Sequence, residues 1–234
     1  MNKTPKFIGL IPARKGSKGL LNKNMLNLID KPLVQYTIEA AMSSSLVDDV
    51  WVTSDDPEVL RIAKSIQANE LMRPKEYASD ESSASEVVQH FISTIPVNDE
   101  NENDFIVYLQ PTSPIRNSNH IDEAINHLLL NEVNSLVSVI MLRKSPFKSF
   151  LIDKNGRLQS LFDEGLSNAR RQDLEDVYIP NGAIYIFQIK EFIKKNGFPS
   201  NGSIPFKMKE EDSIDIDEKE DLTKAEKILR TKNA

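Results

Sequence analysis

Basic residues and two glycines crowd one stretch near the start of the chain, Arg14-Lys15-Gly16-Ser17-Lys18-Gly19, continuing to Lys23-Asn24. Arg14, Lys18 and Lys23 supply cations that can neutralise a compact polyanion such as a triphosphate, and the glycines let backbone N–H groups approach it. Lysine suits a crowded polyanion because its ammonium is a compact point charge. The spacing fits neither the P-loop nor the Gly-x-Gly-x-x-Gly dinucleotide fingerprint. On these residues alone, a solvated basic turn is an equal reading.

A second group lies near the other end, where Ser213-Ile214-Asp215-Ile216-Asp217 alternates with period two. This predicts a strand with Asp215 and Asp217 on one face and Ile214 and Ile216 on the other. The carboxylate face could bind Mg²⁺, which takes one or two carboxylates and fills its shell with water and substrate phosphate oxygens. Helix capping is the competing explanation, since Asp217 stands three residues before Glu220 at a helix start. Gln110 stands in a Pro-rich turn after the apolar run Phe105 to Leu109, a placement that would present its amide at a sheet edge. Lys148 and Arg171, read alone, are surface charges. His90, His120 and His127 lack ligand spacing, Asp55 and Asp56 read as caps of the next helix, and Trp51 reads as core.

The elements that must position these groups alternate in type. Phe7 to Ile11 is a continuous apolar run ending at Pro12, the pattern of a strand buried on both faces. A helix opens near Asp30 and Pro32 with Val34, Ile38 and Ala41 on one side, followed by a strand at Val50 to Thr53. Pro57 opens the next helix, and Ser83 with Glu86 has capping-box spacing before another. The strands Phe105 to Leu109 and Leu136 to Met141 flank a helix carrying Ile121, Ala124, Ile125 and Leu128. Strands joined by helices imply an α/β fold with a mostly parallel sheet covered on both faces. The basic loop then leaves the carboxyl end of the first strand, where open sheets of this kind place ligands.

Past residue 142 the rhythm changes. Asn155-Gly156 predicts a hairpin with a type I′ turn and an antiparallel addition to the sheet. Asp163 to Asp176 is polar and without sustained periodicity, and reads as a mobile or partner-dependent arm. Ala183 to Phe187 returns as a strand, Ile189 to Lys195 as a helix stopped by Asn196-Gly197, and Leu222 to Leu229 as a final helix.

Composition narrows the classes. The chain has 234 residues, 39% hydrophobic and 27% charged, a length and mixture suited to one domain with a buried core. It has no cysteine, which excludes a disulfide scaffold, a thiol nucleophile and thiolate zinc sites. No apolar run approaches a membrane span, and Met1-Asn2-Lys3-Thr4 is not followed by a secretory segment, so a cytoplasmic protein without membrane association is the expectation. The formal net charge of −6 argues against a nucleic-acid partner.

The basic loop resembles the nucleotide-binding signature of the CMP-sialic acid synthetases, the acylneuraminate cytidylyltransferases. Further blocks resemble that family in order: Arg73-Pro74, Ala78-Ser79-Asp80, Leu109-Gln110-Pro111-Thr112-Ser113-Pro114, Arg171-Gln172, Pro180-Asn181-Gly182-Ala183-Ile184-Tyr185, and Asp212 to Asp217. Together they span nearly the whole chain. The resemblance implies a Rossmann-like nucleotide-diphospho-sugar transferase fold, a single domain over 1–234, with a dimerisation and acceptor insertion at 143–180. It implies transfer of CMP from CTP to the anomeric hydroxyl of N-acetylneuraminic acid or a related nine-carbon nonulosonic acid, releasing pyrophosphate. Legionaminic, pseudaminic and 3-deoxy-manno-octulosonic acids are alternative acceptors, and an inactive nucleotide-binding regulatory module is the alternative of another class.

By the same resemblance Arg14, Ser17, Lys18 and Lys23 hold the CTP phosphates. Asn24, Arg73 and the loop from Ser79 to Ser83 form the nucleoside pocket. Gln110, Lys148 and Arg171 face the acceptor, the two cations suiting its carboxylate. Asp215 and Asp217 hold Mg²⁺, and the arm around Arg170 to Gln172 makes a homodimer by reaching the neighbouring subunit's site. Arg14, Lys18, Lys23, Asp215 and Asp217 are thereby the catalytic set. The chain departs from the family pattern at Leu21, where proline is common, and at Ile179, where arginine is frequent.

Overall fold

A computed structural model describes residues 4–16, 19–79, 81–95 and 101–232. Its strands are β1 (Phe7–Pro12), β2 (Asn27–Leu28), β3 (Lys31–Pro32), β4 (Asp49–Ser54), β5 (Asn69–Met72), β6 (Phe105–Tyr108), β7 (Ser135–Met141), β8 (Phe150–Ile152), β9 (Leu158–Ser160), β10 (Tyr178–Gln188) and β11 (Ile204–Lys207). The helices are α1 (Leu33–Met42), α2 (Pro57–Ser65), α3 (Ala84–Thr94), α4 (Ser118–Leu130), α5 (Glu164–Asn168), α6 (Ile189–Lys195) and α7 (Lys219–Lys232). Seven strands form the main sheet in the order β11-β7-β10-β6-β1-β4-β5. Neighbours run parallel except β10, which is antiparallel to both β6 and β7.

The apolar run of β1 explains its central place. Phe7 and Ile11 join the core on the face covered by α1, α2 and α4, while Ile8 and Leu10 join the core under α3 and α6. Only a strand buried on both faces has use for such continuity. Helix starts follow local chemistry as expected. Asp56 accepts the Glu58 N–H ahead of α2, and Ser83 and Glu86 close a reciprocal capping box at α3. Trp51 packs edge-on against Phe91, and α6 ends at Asn196 in the left-handed region. Among the described residues no helix is long and apolar enough to cross a membrane.

Two expectations require correction, and a third segment carries more local order than its composition suggested. The strand over 213–217 does not form: the segment joins no sheet, and Ile216 N–H bonds the Thr112 carbonyl at 2.8 Å. Its alternation serves packing instead, because Ile216 is fully buried in a small third core with Leu28, Leu33, Ile115 and Ala225 of α7. The hairpin at Asn155-Gly156 forms, yet β8 and β9 make a separate two-stranded sheet. Its turn is not type I′, since only Gly156 has positive φ; Asp153 Oδ1 accepts the N–H groups of Asn155 and Arg157 and sets a longer loop. Finally, the arm from Asp163 has local order: Asp163 caps α5, and Arg170 pairs with Asp173 across a 3₁₀ turn. Capping, which needs no periodicity, organises it.

Candidate active site

Strands β1, β5 and β6 end at one edge of the sheet, and residues that follow them line a cleft of about 230 Å³. Arg14, Lys23, Asn24, Arg73 and Gln110 all line it, so five of the residues singled out from sequence come together. Ser17 and Lys18 lie outside the described residues, as does Asp80.

Each lining group is held by a partner that sets its direction. Arg14 Nη1 donates to the Ser79 carbonyl at 2.8 Å, bridging from the basic loop to the loop before α3. Asn24 is buried and donates through Nδ2 to the Arg14 carbonyl at 2.9 Å. Arg73 is 4% exposed, and its Nε and Nη2 donate to the hydroxyl and carbonyl of Thr53 at the end of β4. Burial lowers the pKa of Arg73, with nearby Tyr108 and Asp55 acting the other way.

The basic loop also meets the carboxylate segment. Lys23 Nζ donates to Asp217 Oδ1 at 2.9 Å and to the Ile216 carbonyl at 2.7 Å. Gly19 permits this approach, because a Cβ there would lie 2.7 Å from the Asp217 carbonyl oxygen. The Asp217 carboxylate therefore faces the loop. The start of α7 is satisfied by Asp221, whose Oδ2 accepts the N–H groups of Asp217 and Glu218.

Asp215 stands beside Thr112 and Gly182. Desolvation pushes its carboxyl above the usual range, the negative charge of Asp217 adds to that, and a Thr112 hydrogen bond and Lys23 oppose it. A carboxyl raised by burial and by a neighbouring carboxylate fits a divalent cation, whose charge would relieve that repulsion. Among the described residues, no three His, Cys, Asp or Glu side chains gather as a metal cage. Mg²⁺ needs no such cage when substrate phosphates complete its shell.

Gln110 leaves β6 opposite Gly182, which has φ +77; a Cβ there would come within 2.6 Å of Gln110 Oε1. Glycine at 182 thus leaves room for the amide between β10 and the Asp215 segment. Ser79 and Ser83 have other partners. The Ser79 hydroxyl shares a hydrogen bond with Ser82, and Ser83 spends its hydroxyl on the α3 cap. Lys148 donates to the Ser167 carbonyl at 3.3 Å, and Arg171 begins an exposed 3₁₀ turn; neither lines the cleft of its own chain.

Ser82, within the Ser79 to Ser83 loop, lines the cleft, as does Tyr108, which sequence reasoning missed. Tyr108 was legible in principle, since it shares a strand face with Gln110 two residues on. Its burial raises the phenol well above its ordinary pKa.

An α/β sheet whose carboxyl edge carries a cationic loop facing an acidic segment has the charge pattern that a polyphosphate and a divalent cation would match. Comparison makes the assignment particular: residues 8–230 match the model of the cytidylyltransferase family, and the chain belongs to that family. It is 39% identical over 229 residues to the N-acylneuraminate cytidylyltransferase of Escherichia coli O18:K1:H7 (strain RS218 / NMEC), covering 97% of this chain and 53% of that protein. The chain thus spans about half the length of that relative, as it does of the Streptococcus agalactiae serotype III (strain NEM316) enzyme of the same name, 35% identical with 93% and 52% covered. A pseudaminic acid cytidylyltransferase of Campylobacter jejuni serotype O:23/36 (strain 81-176) is 29% identical, with 96% of each chain covered. The solved structure of CMP:2-keto-3-deoxy-manno-octonic acid synthetase complexed with CTP superposes with a TM-score of 0.69 at 16% identity, covering 97% of this chain and 99% of that one, a likeness of fold.

Proposed function

We propose that the chain transfers CMP from CTP to the anomeric hydroxyl of an N-acylneuraminic or closely related nonulosonic acid. The observation that carries this reading is the contact of Lys23, in the cleft wall, with Asp217, which joins the basic loop to the carboxylate segment. The anomeric hydroxyl oxygen attacks the α-phosphorus and gives up its proton to solvent, the bond from that phosphorus to the bridging oxygen breaks, and pyrophosphate leaves with the electron pair.

Positioning and charge neutralisation supply the catalysis. Arg14, Lys18 and Lys23 bind the phosphates, with Ser17 donating beside them. Asn24, Arg73 and the Ser79 to Ser83 loop seat the nucleoside, with preference for CTP over UTP, ATP and GTP. Gln110 orients the acceptor. Asp215 and Asp217 would hold Mg²⁺, which when bound adds positive charge to the phosphate oxygens and the departing pyrophosphate.

The insertion at 143–180 completes the site in a homodimer, with Lys148 and Arg171 reaching the partner's acceptor carboxylate. Its hairpin presents apolar side chains to solvent, with Ile152 74% and Leu158 71% exposed, as a covered surface would. The reading places the reaction in the cytoplasm, with no nucleic-acid or membrane partner.

The acceptor lies within the nonulosonic acids, since relatives carry both N-acylneuraminate and pseudaminic names. Pyrophosphate release should be measured with CTP, Mg²⁺ and a panel of N-acetylneuraminic, legionaminic, pseudaminic and 3-deoxy-manno-octulosonic acids. Turnover with one nine-carbon acid supports the reading. Nucleotide binding without release for any acid would make the chain a binding module.

A further inference from the structure

Among the described residues Arg116 is the largest fully buried side chain, 1% exposed, and it forms no ion pair with any of them. Its Nε and Nη1 have no hydrogen-bond partner there. A buried guanidinium with unmet donors and no carboxylate is costly to fold, and such groups persist where the structure uses them. The bonds it does make show the use. Nη2 donates to the Thr37 hydroxyl at 2.7 Å and to the Gln110 carbonyl at 3.3 Å. Thr37, fully buried on α1, also donates to that carbonyl at 3.5 Å, and Ser113 N–H does so at 3.4 Å.

The turn so fixed carries both halves of the site. Gln110 opens it against Gly182, and Thr112 in its middle accepts Ile216 N–H through its carbonyl and hydrogen-bonds Asp215 through its side chain. The separation between the Gln110 amide and the Asp215 to Asp217 carboxylates is therefore set by one turn, anchored from beneath by Arg116.

We infer that Arg116, with Thr37, is a positioning residue that holds the Gln110 to Ser113 turn and so fixes the acceptor-side amide relative to the carboxylate pair. The inference rests on the proposed transfer for its catalytic consequence, but its geometric part stands independently. A purely structural Arg116 would lose stability and activity together. A positioning Arg116 separates them, because removing an unpaired buried cation relieves a folding cost while loosening the turn.

Arg116→Met and Thr37→Val test this in the full chain by amide exchange, thermal melting and pyrophosphate release. Arg116→Met should melt at or above the wild-type temperature, exchange faster at Ser113 and Ile216, and turn over about 100-fold more slowly at saturating CTP. Thr37→Val should show the same exchange signature with a smaller rate loss, and it carries the test if Arg116→Met does not fold. Unchanged exchange at both amides, or unchanged turnover, overturns the inference, as does activity lost only in step with melting temperature. A wild-type chain that releases no pyrophosphate with any acceptor refutes the proposed transfer instead, and the exchange measurement still decides the role of Arg116.

Discussion

Lys23 Nζ, in the cleft wall, lies 2.9 Å from Asp217 Oδ1, joining residues 194 positions apart. Its ammonium is largely shielded while the Asp217 side chain is 73% exposed, so the pair is anchored on the lysine side. An ion pair this open contributes only about 0.2–1 kcal/mol to stability. Its value lies in where it holds a carboxylate.

Asp217→Asn separates a site carboxylate from a helix cap. The α7 start is satisfied by Asp221, so Asp217→Asn should leave the melting temperature nearly unchanged while depressing turnover and shifting its Mg²⁺ dependence. Asp221→Ala should do the reverse, costing about 1 kcal/mol of stability through lost capping. Melting curves and a Mg²⁺ titration of both variants check the contrast. Full activity of Asp217→Asn at every Mg²⁺ concentration would sink the metal assignment.

The sheet and the cationic loop were legible because their signals are local. Phe7 to Ile11 announces a doubly covered strand, Ser83 with Glu86 announces a helix start, and Arg14 to Asn24 announces a cationic loop after the first strand without any contact being known. The Asp215 and Asp217 alternation was also visible, but its reading as a strand failed because period two reports which side is buried and not whether a neighbour offers a ladder. Arg116 was invisible for the opposite reason. One arginine ahead of a helix looks like surface charge, and only the closure of α1 over the Gln110 turn buries it.

Ile29 is a stability prediction away from the cleft. It occupies the two-residue loop between β2 and β3 with φ +63, a left-handed conformation that a β-branched residue rarely adopts. Ile29→Gly should relieve about 1–2 kcal/mol of backbone strain. Glycine's greater unfolded-state freedom takes back about 0.5–1 kcal/mol. The net should be a rise of a few degrees in melting temperature, with turnover unaltered. A lower melting temperature would show that the partly buried side chain outweighs the strain.

His120 supplies a pH dependence. It closes the α4 capping box, its Nδ1 accepting Asn117 N–H, and desolvation lowers its pKa against the opposing pull of Asp212. A histidine depressed in the folded state stabilises above its unfolded pKa, and that contribution is lost as pH falls through the folded value. Protonation would also remove the acceptor at Nδ1. His120→Gln keeps the box chemistry without titrating. The variant's melting temperature should therefore gain on wild type as pH drops below about 6.5, the unperturbed histidine value. Parallel curves from neutral to mildly acidic pH would refute this.

Arg171 tests the insertion and the oligomer together. In one chain it lies on an exposed turn outside the cleft, while the β8–β9 hairpin of the same insertion presents Phe150, Ile152 and Leu158 to solvent. If the hairpin packs against a second copy and Arg171 thereby faces the partner's acceptor carboxylate, Arg171→Ala should raise the acceptor KM and leave CTP binding intact. Losing a charge-assisted hydrogen bond costs about 1.5–3 kcal/mol, roughly a tenfold to hundredfold weakening. Ile152→Asp should instead dissociate the dimer, because it places a charge in the apolar contact, and acceptor use should fall with it. Sedimentation with steady-state kinetics for each substrate checks both variants. An Ile152→Asp chain that sediments as a monomer with full acceptor use would show that each subunit completes its own site. Equal losses toward CTP and acceptor in Arg171→Ala would mean that the residue shapes the insertion and does not touch the sugar.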